Sequence, residues 1–139
     1  MNTLARYALT ALIAVGIAAP TADLALAKQK SCKTLNMLDP DSDGEMTLPE
    51  AQKRAGLVFD RLNKDKKKDS TLDAKELRGR MTAKEFKAAN PDNDGTIDKA
   101  EYAAAVAVRF KAANPDGDVT IECDELRTKA GKKLLNLLK

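Results

Sequence analysis

Four stretches of this chain repeat one pattern, set so close together that neighbouring repeats have room for only one helix between them. The connections between them, residues 51–62, 77–89 and 102–113, are twelve, thirteen and twelve residues long. At 1.5 Å per residue, one helix of about 18 Å fits each interval. Two full helices do not, so the repeats cannot be arranged as independent helix-loop-helix units. Residues 51–62 and 102–113, the latter rich in alanine, read as continuous short helices. The middle connection reads as broken, because Gly79 weakens a helix there and Thr82-Ala83-Lys84-Glu85 is a capping box that starts a new one.

The repeated pattern is a set of oxygen donors. Asp39-Pro40-Asp41-Ser42-Asp43-Gly44-Glu45-Met46-Thr47-Leu48-Pro49-Glu50 has the layout of a twelve-residue EF-hand loop. Such a loop offers ligands at positions 1, 3, 5, 7, 9 and 12, with Gly at 6 for a sharp turn and a bidentate Glu at 12. In loop 39–50 these are Asp39, Asp41, Asp43, the Glu45 carbonyl, Thr47 and Glu50. In loop 90–101 they are Asn90, Asp92, Asp94, the Thr96 carbonyl, Asp98 and Glu101. In loop 114–125 they are Asn114, Asp116, Asp118, the Thr120 carbonyl, Glu122 and Glu125. One acidic run is weak evidence of a site. Three, each with Glu at position 12 and an apolar residue at position 8, are not accounted for by solvated acidic loops.

A fourth copy is damaged. Phe59 and Leu62 predict a loop starting at Asn63, whereas Leu72 and Glu76, read as positions 8 and 12, predict a start at Asp65. An insertion within Lys66-Lys67-Lys68 reconciles the two registers. It leaves Asn63, Asp65, Asp69, the Thr71 carbonyl, Asp73 and Glu76 as dispersed ligands in a degenerate loop 63–76, with Ser70 in place of the Gly. Three ammonium groups then stand close to any bound cation. At about 4 Å and an effective dielectric of 20, each opposing charge costs up to about 4 kcal/mol. A weak or empty site is expected.

Apolar residues frame each loop at constant offsets: Leu35 and Leu38, Phe59 and Leu62, Phe86 and Ala89, Phe110 and Ala113. These spacings place each pair on one face of an entering helix. Met46, Ile97 and Ile121 hold position 8, where loops pair through a short strand. All of these are assigned to packing. Gly131 is expected to interrupt the chain after the last loop, and Leu134, Leu135, Leu137 and Leu138 to close the core.

Residues 1–27 read as a signal peptide, with Arg6 before the apolar run from Tyr7 to Ala19 and a small-x-small site at Ala25-Leu26-Ala27. The run has thirteen residues, short of the roughly 20 needed to span a bilayer as a helix. A metal-binding domain at residues 28–139, periplasmic or secreted and without a membrane anchor after cleavage, follows. Its formal net charge of +3 is mixed along the chain, with no aromatic interleaving to stack on nucleic-acid bases. Cys32 and Cys123 face an oxidising compartment, where an intramolecular bridge, free thiols or an intermolecular link all remain open. With no histidine and no Cys-x-x-Cys pair, zinc is not the expected ion. The few bulky apolar residues imply that bound metal supplies much of the stability, so the metal-free chain is expected to be partly folded.

Proline at loop position 2 in Asp39-Pro40, Asn90-Pro91 and Asn114-Pro115, the short connections and the export signal together resemble lanmodulin, a family of periplasmic lanthanide-binding EF-hand proteins. The resemblance runs from about Leu35 to the C-terminus and includes Thr71-Leu72-Asp73-Ala74-Lys75-Glu76-Leu77, Phe110-Lys111-Ala112-Ala113-Asn114-Pro115-Asp116 and the Leu-rich tail. It implies an all-α, compact small helical bundle with four EF-hand-type loops joined by short shared helices, ordered by lanthanide(III) ions. Departures are the damaged second loop, Thr47 where an acid would add a ligand, and Val119 where Gly is expected. A β-branched residue forced to φ > 0 there costs roughly 1 to 3 kcal/mol. The expected order of affinity is the third and first loops, then the fourth, then the second.

Calcium and lanthanides both take oxygen ligands at similar size, so a periplasmic calcium-binding EF-hand buffer or sensor is the alternative reading. A metal-dependent interaction with a periplasmic protein partner is a further class. Only Met37, Met46 and Met81 remain after cleavage, which gives no Met-rich groove of the calcium-sensor kind. An enzyme is not indicated, since no nucleophile sits with a base and cation ligation accounts for the carboxylate clusters.

Overall fold

The computed structural model describes residues 32–63 and 70–139. The leader expected at residues 1–27, and Asp65, Lys66, Lys67, Lys68 and Asp69 of the degenerate loop, lie outside the described residues.

A short 3-10 turn, Leu35–Met37, leads into the first loop, and α1 (Leu48–Leu62) leaves it. After the second loop come α2 (Ala83–Ala89) and, beyond the third loop, α3 (Lys99–Ala113). The fourth loop ends in α4 (Cys123–Arg127), followed at once by α5 (Lys129–Leu138). Capping boxes start α1 at Thr47 and Glu50, α2 at Thr82 and Glu85, and α3 at Asp98 and Glu101. Each satisfies orphan N–H groups at a helix start. The shared helices between the first and second and between the third and fourth loops are therefore continuous, and the middle connection is broken.

The fold is mostly helical but not purely so. Each loop contributes a two-residue strand: β1 (Met46–Thr47), β2 (Thr71–Leu72), β3 (Ile97–Asp98) and β4 (Thr120–Ile121). They pair antiparallel as β1 with β4 and β2 with β3, so the first loop meets the last and the second meets the third. Met46 lies opposite Ile121, and Leu72 opposite Ile97. All four of these side chains are fully buried.

Helix α3 packs between α1 and α5, while α5 also covers α1 and α4. The core joins Val58 and Phe59 of α1 with Tyr102, Val106 and Phe110 of α3. Phe59 and Tyr102 meet edge to face with ring centroids 5.8 Å apart. Leu134, Leu135, Leu137 and Leu138 are buried, as the apolar tail requires. Phe86, Ala89 and Leu62 are only partly buried, and α2 buries none of its residues. The entering-helix rule thus overstates burial around the third loop.

Gly131 does not interrupt the last segment. The break falls at Thr128, whose extended backbone ends α4 and caps α5, its hydroxyl accepting from Gly131 N–H and donating to Glu125 O. Gly131 lies within α5, where a Cβ would run into the Glu125 carbonyl and the Leu126 backbone. Its lack of a side chain is what lets two consecutive helices fold back on each other.

The last carbonyls of α5 find partners on three other segments. Tyr102 donates its hydroxyl to Leu137 O at 2.8 Å, and Arg54 donates Nε–H to Leu138 O at 3.0 Å. Arg80 donates to Asn136 O and Lys139 O, both at 2.7 Å. Final-turn carbonyls have no intrahelical donor, and these side chains supply the missing bonds. Burial pushes the Tyr102 hydroxyl pKa up to about 12, against the opposing charges of Arg80, Arg109 and Arg61.

Candidate metal centres

In loop 39–50, Asp39, Asp41 and Asp43 bring carboxylate oxygens within 4.8 Å of one another. Asp39 is buried while the other two are exposed. Its oxygens accept from Ser42 N–H at 2.6 Å and Gly44 N–H at 2.8 Å, which folds the loop around it. Burial works to raise the Asp39 pKa, yet these N–H bonds and a side-chain bond from Asp41 hold it below the ordinary range. The same side-chain bond with Asp39, followed by slight desolvation and the charges of Asp43 and Glu50, raises Asp41. Three carboxylates so close repel, and a cation among them relieves that repulsion.

The turn geometry follows from φ. Ser42 and Gly44 adopt φ of 62° and 91°, and Asn93 and Gly95 in loop 90–101 adopt 57° and 90°. Positions 4 and 6 are thus both left-handed in these two loops. Ser70, read as the replacement for the second loop's Gly, also has positive φ, at 64°.

Loop 114–125 is built differently, which overturns the strain expected at Val119. Its left-handed residue is Gly117, at position 4, with φ of 75°, and Val119 lies outside that region. The valine is 81% exposed and carries no backbone penalty. Asp116, Asp118 and Glu122 converge within 4.8 Å. Asn114 spans them, donating its amide to Asp118 O at 2.9 Å and Thr120 O at 3.0 Å while accepting from Gly117 N–H at 2.7 Å. An amide donor there holds together the oxygens that a cation would gather. Turning the amide presents Asn114 Oδ1 instead.

The glutamates at position 12 share one arrangement. Glu50 Oε2 accepts from Thr47 N–H at 2.8 Å, Glu101 Oε2 from Asp98 N–H at 2.9 Å, and Glu125 Oε2 from Glu122 N–H at 3.0 Å. Thr47 adds its hydroxyl to Glu50 Oε2 at 2.7 Å, so the residue that costs the first loop a carboxylate positions its last ligand. Each Glu is held by one oxygen at the start of the exiting helix.

Two buried oxygens have no hydrogen-bond partner among the described residues: Asn90 Oδ1, at position 1 of the third loop, and Glu125 Oε1, at position 12 of the fourth. Asn90 is 4% exposed and Glu125 is 8% exposed. Burial, helped by the side chain and charge of Glu122 and the charge of Asp116, pushes Glu125 up to about 7 against the Glu122 N–H bond. Buried polar atoms normally find partners. Both orphans stand where the loop pattern places a ligand, so the donor sets fit a hard cation.

No protein-family model and no curated protein matches this chain.

The structure places the remaining residues as follows. Thr96 donates N–H and Oγ1–H to Asp94 Oδ1, and Asp94 N–H donates to Asp92 Oδ1 at 3.3 Å. In loop 39–50, Glu45 N–H donates to Asp43 Oδ1 at 2.9 Å, leaving its carbonyl as the candidate ligand. In the degenerate loop, Asn63 caps the end of α1, Thr71 belongs to β2, and Asp73 and Glu76 form a reciprocal box. No α-helix follows that box: the chain turns through Gly79, at φ of 79°, before α2 begins. Among the described residues, the second loop therefore keeps the box seen in the other three loops without an exiting α-helix.

Two features had no clear signal in the sequence. Pro40 and Pro91, both at position 2, each wall a cleft between the segment entering a loop and the helix leaving it, of about 190 Å³ and 290 Å³ respectively. The other is the bond joining Cys32 to Cys123, with Cα atoms 5.7 Å apart. Of the three cysteine arrangements left open by the sequence, the structure has the intramolecular bridge.

Proposed function

We propose that this chain is an exported EF-hand protein that binds hard cations, foremost trivalent lanthanides, at loops 39–50, 90–101 and 114–125. The observation that carries the reading is the pair of partnerless buried oxygens, Asn90 Oδ1 and Glu125 Oε1, in two repeats built on one ligand pattern. Ligand convergence in the first and fourth loops adds to it.

Each of the three loops brings four carboxylates to its ligand positions. A trivalent ion leaves a loop with one uncompensated charge and a divalent ion with two, so Coulomb energy favours the trivalent ion before dehydration is counted. The likeness to lanmodulin in the position-2 prolines and short shared helices points the same way. Binding draws Glu50, Glu101 and Glu125 from their caps toward the loop centres, linking ligation to the start of each exiting helix.

No helix among the described residues is long and apolar enough to cross a membrane. We read the domain as released into the periplasm or medium after cleavage near Ala27. The deciding experiment titrates metal-free protein, residues 28–139, with lanthanum and with calcium while following helicity by circular dichroism. A response to lanthanum at concentrations at least a thousandfold lower than calcium is expected, on the order of 4 kcal/mol of selectivity. Equal midpoints would establish a calcium-binding protein instead.

A further inference from the structure

Cys123 is position 10 of loop 114–125, between the ligands Glu122 and Glu125, and it is buried. Its partner Cys32 stands just before the 3-10 turn that delivers Asp39, and Cys32 O accepts from Asn36 N–H at 3.1 Å within that turn. The same two loops are joined at position 8, where Met46 and Thr47 pair with Ile121 and Thr120. The first and fourth loops are thus fastened twice, once through a backbone ladder and once covalently. The third loop pairs with the second and has no such bond.

We infer that the Cys32–Cys123 disulfide is a positioning device for metal binding, which holds the first and fourth loops as one preorganised pair and makes their affinity depend on redox state. This rests on the metal-binding reading above. With the bond intact, the segment carrying Asp39 and the backbone carrying Glu122 and Glu125 are ordered before any cation arrives. Less ordering then opposes binding. With the bond broken, only two residue pairs of ladder and the surrounding packing hold the loops together.

The chemistry needs a dithiol reductant. Cys32 is partly buried rather than fully enclosed, so a dithiol thiolate can attack its sulfur. The S–S bond breaks, Cys123 leaves as a thiolate, and the second thiol of the reductant closes on the first to expel Cys32. The dithiol ends as a cyclic disulfide, two electrons pass to the protein, and two protons end on the freed thiols. Those thiols are soft donors and do not replace oxygen ligands for a hard cation.

The test uses the full mature chain in two backgrounds. Glu101→Gln leaves the first and fourth loops as the strong sites, and Glu50→Gln with Glu125→Gln leaves the third. Each is titrated calorimetrically with lanthanum, oxidised, reduced with dithiothreitol and reoxidised, with circular dichroism as a check on folding. In the Glu101→Gln background, reduction should weaken binding by roughly 5- to 150-fold, the usual range of coupling between sites, and reoxidation should restore it. In the other background it should change little. The Cys32→Ser/Cys123→Ser variant in the Glu101→Gln background should match the reduced protein without any reductant present. Unchanged affinity in the Glu101→Gln background, or equal loss in both, overturns the inference while leaving metal binding in place. Binding of neither lanthanum nor calcium in any form removes the metal-binding reading and this inference with it.

Discussion

Met46, at position 8 of the first acidic loop, lies directly opposite Ile121, at position 8 of the last. Both are fully buried, so the ladder that joins their loops is part of the core rather than a surface contact. Neighbours in sequence are not neighbours in this pairing. Energetic coupling between metal sites should follow the ladder.

Substituting the last ligand of each loop tests that directly. Glu50→Gln should weaken lanthanum binding at its own loop and also at loop 114–125, the second effect being roughly 5-fold or more. Glu101→Gln should leave the fourth loop nearly unchanged. With no backbone strain at Val119, Glu125→Gln should cost affinity comparable to Glu50→Gln and Glu101→Gln rather than less. Calorimetric titration of the three variants separates these outcomes.

Tyr102→Phe deletes the hydroxyl that satisfies Leu137 O. A buried carbonyl left without its donor costs about 1 to 3 kcal/mol. The midpoint of urea unfolding should fall with an unchanged slope. A variant as stable as the parent would mean that water or another side chain takes over the bond.

At Gly131 two rules give opposite signs. Helix propensity alone makes Gly131→Ala stabilising by about 1 kcal/mol. The collision of its Cβ with the Glu125 carbonyl and Leu126 makes it destabilising instead, by about 1 to 3 kcal/mol of overpacking. A lower thermal midpoint is expected, with a disturbance at Glu125 visible as weaker binding at the fourth loop.

Val119→Gly separates two accounts of the fourth loop. Relief of backbone strain would add stability. Because Val119 does not occupy the left-handed region, glycine should instead cost about 0.4 to 1 kcal/mol by freeing the unfolded chain. Chemical denaturation of the metal-free proteins reads the sign.

Glu85 is held down to about 2, first by the Thr82 N–H, then by the Thr82 hydroxyl, with Lys133 and Arg109 adding charge against the opposing effect of burial. A depressed carboxyl stabilises the fold fully above its unfolded pKa of about 4.5 and loses that contribution as pH falls toward about 2. Glu85→Gln keeps an oxygen to accept from Thr82 N–H but removes the charge, and should cost about 1 kcal/mol at pH 7, the usual size for a carboxylate at a helix N-terminus. The gap between variant and parent should close between about pH 4.5 and pH 2 in denaturant titrations.

Much of the local organisation was legible because it depends on neighbours in sequence. The capping box at Thr82, the continuous helices leaving the first and third loops, and the buried position-8 residues all follow from fixed offsets, whereas the boxes at Thr47 and Asp98 were hidden behind the ligand pattern. Gly131 misled because a glycine in a helix looks like a break until its close neighbours are known. Val119 misled because the fourth loop keeps the left-handed residue at position 4, Gly117, and drops the one at position 6. Arg54, Arg80 and Tyr102 gave no sign of their shared role, since their common target is backbone carbonyls at the far end of the chain.

The sequence alone determined which oxygens each loop presents and how little chain lies between loops, because both are matters of residue type and spacing. The tertiary structure decided which loops pair, that Cys32 reaches Cys123, and which of those oxygens are buried without partners. Those outcomes depend on how α1, α3 and α5 pack around one core, where residues far apart in the chain are brought within bonding distance.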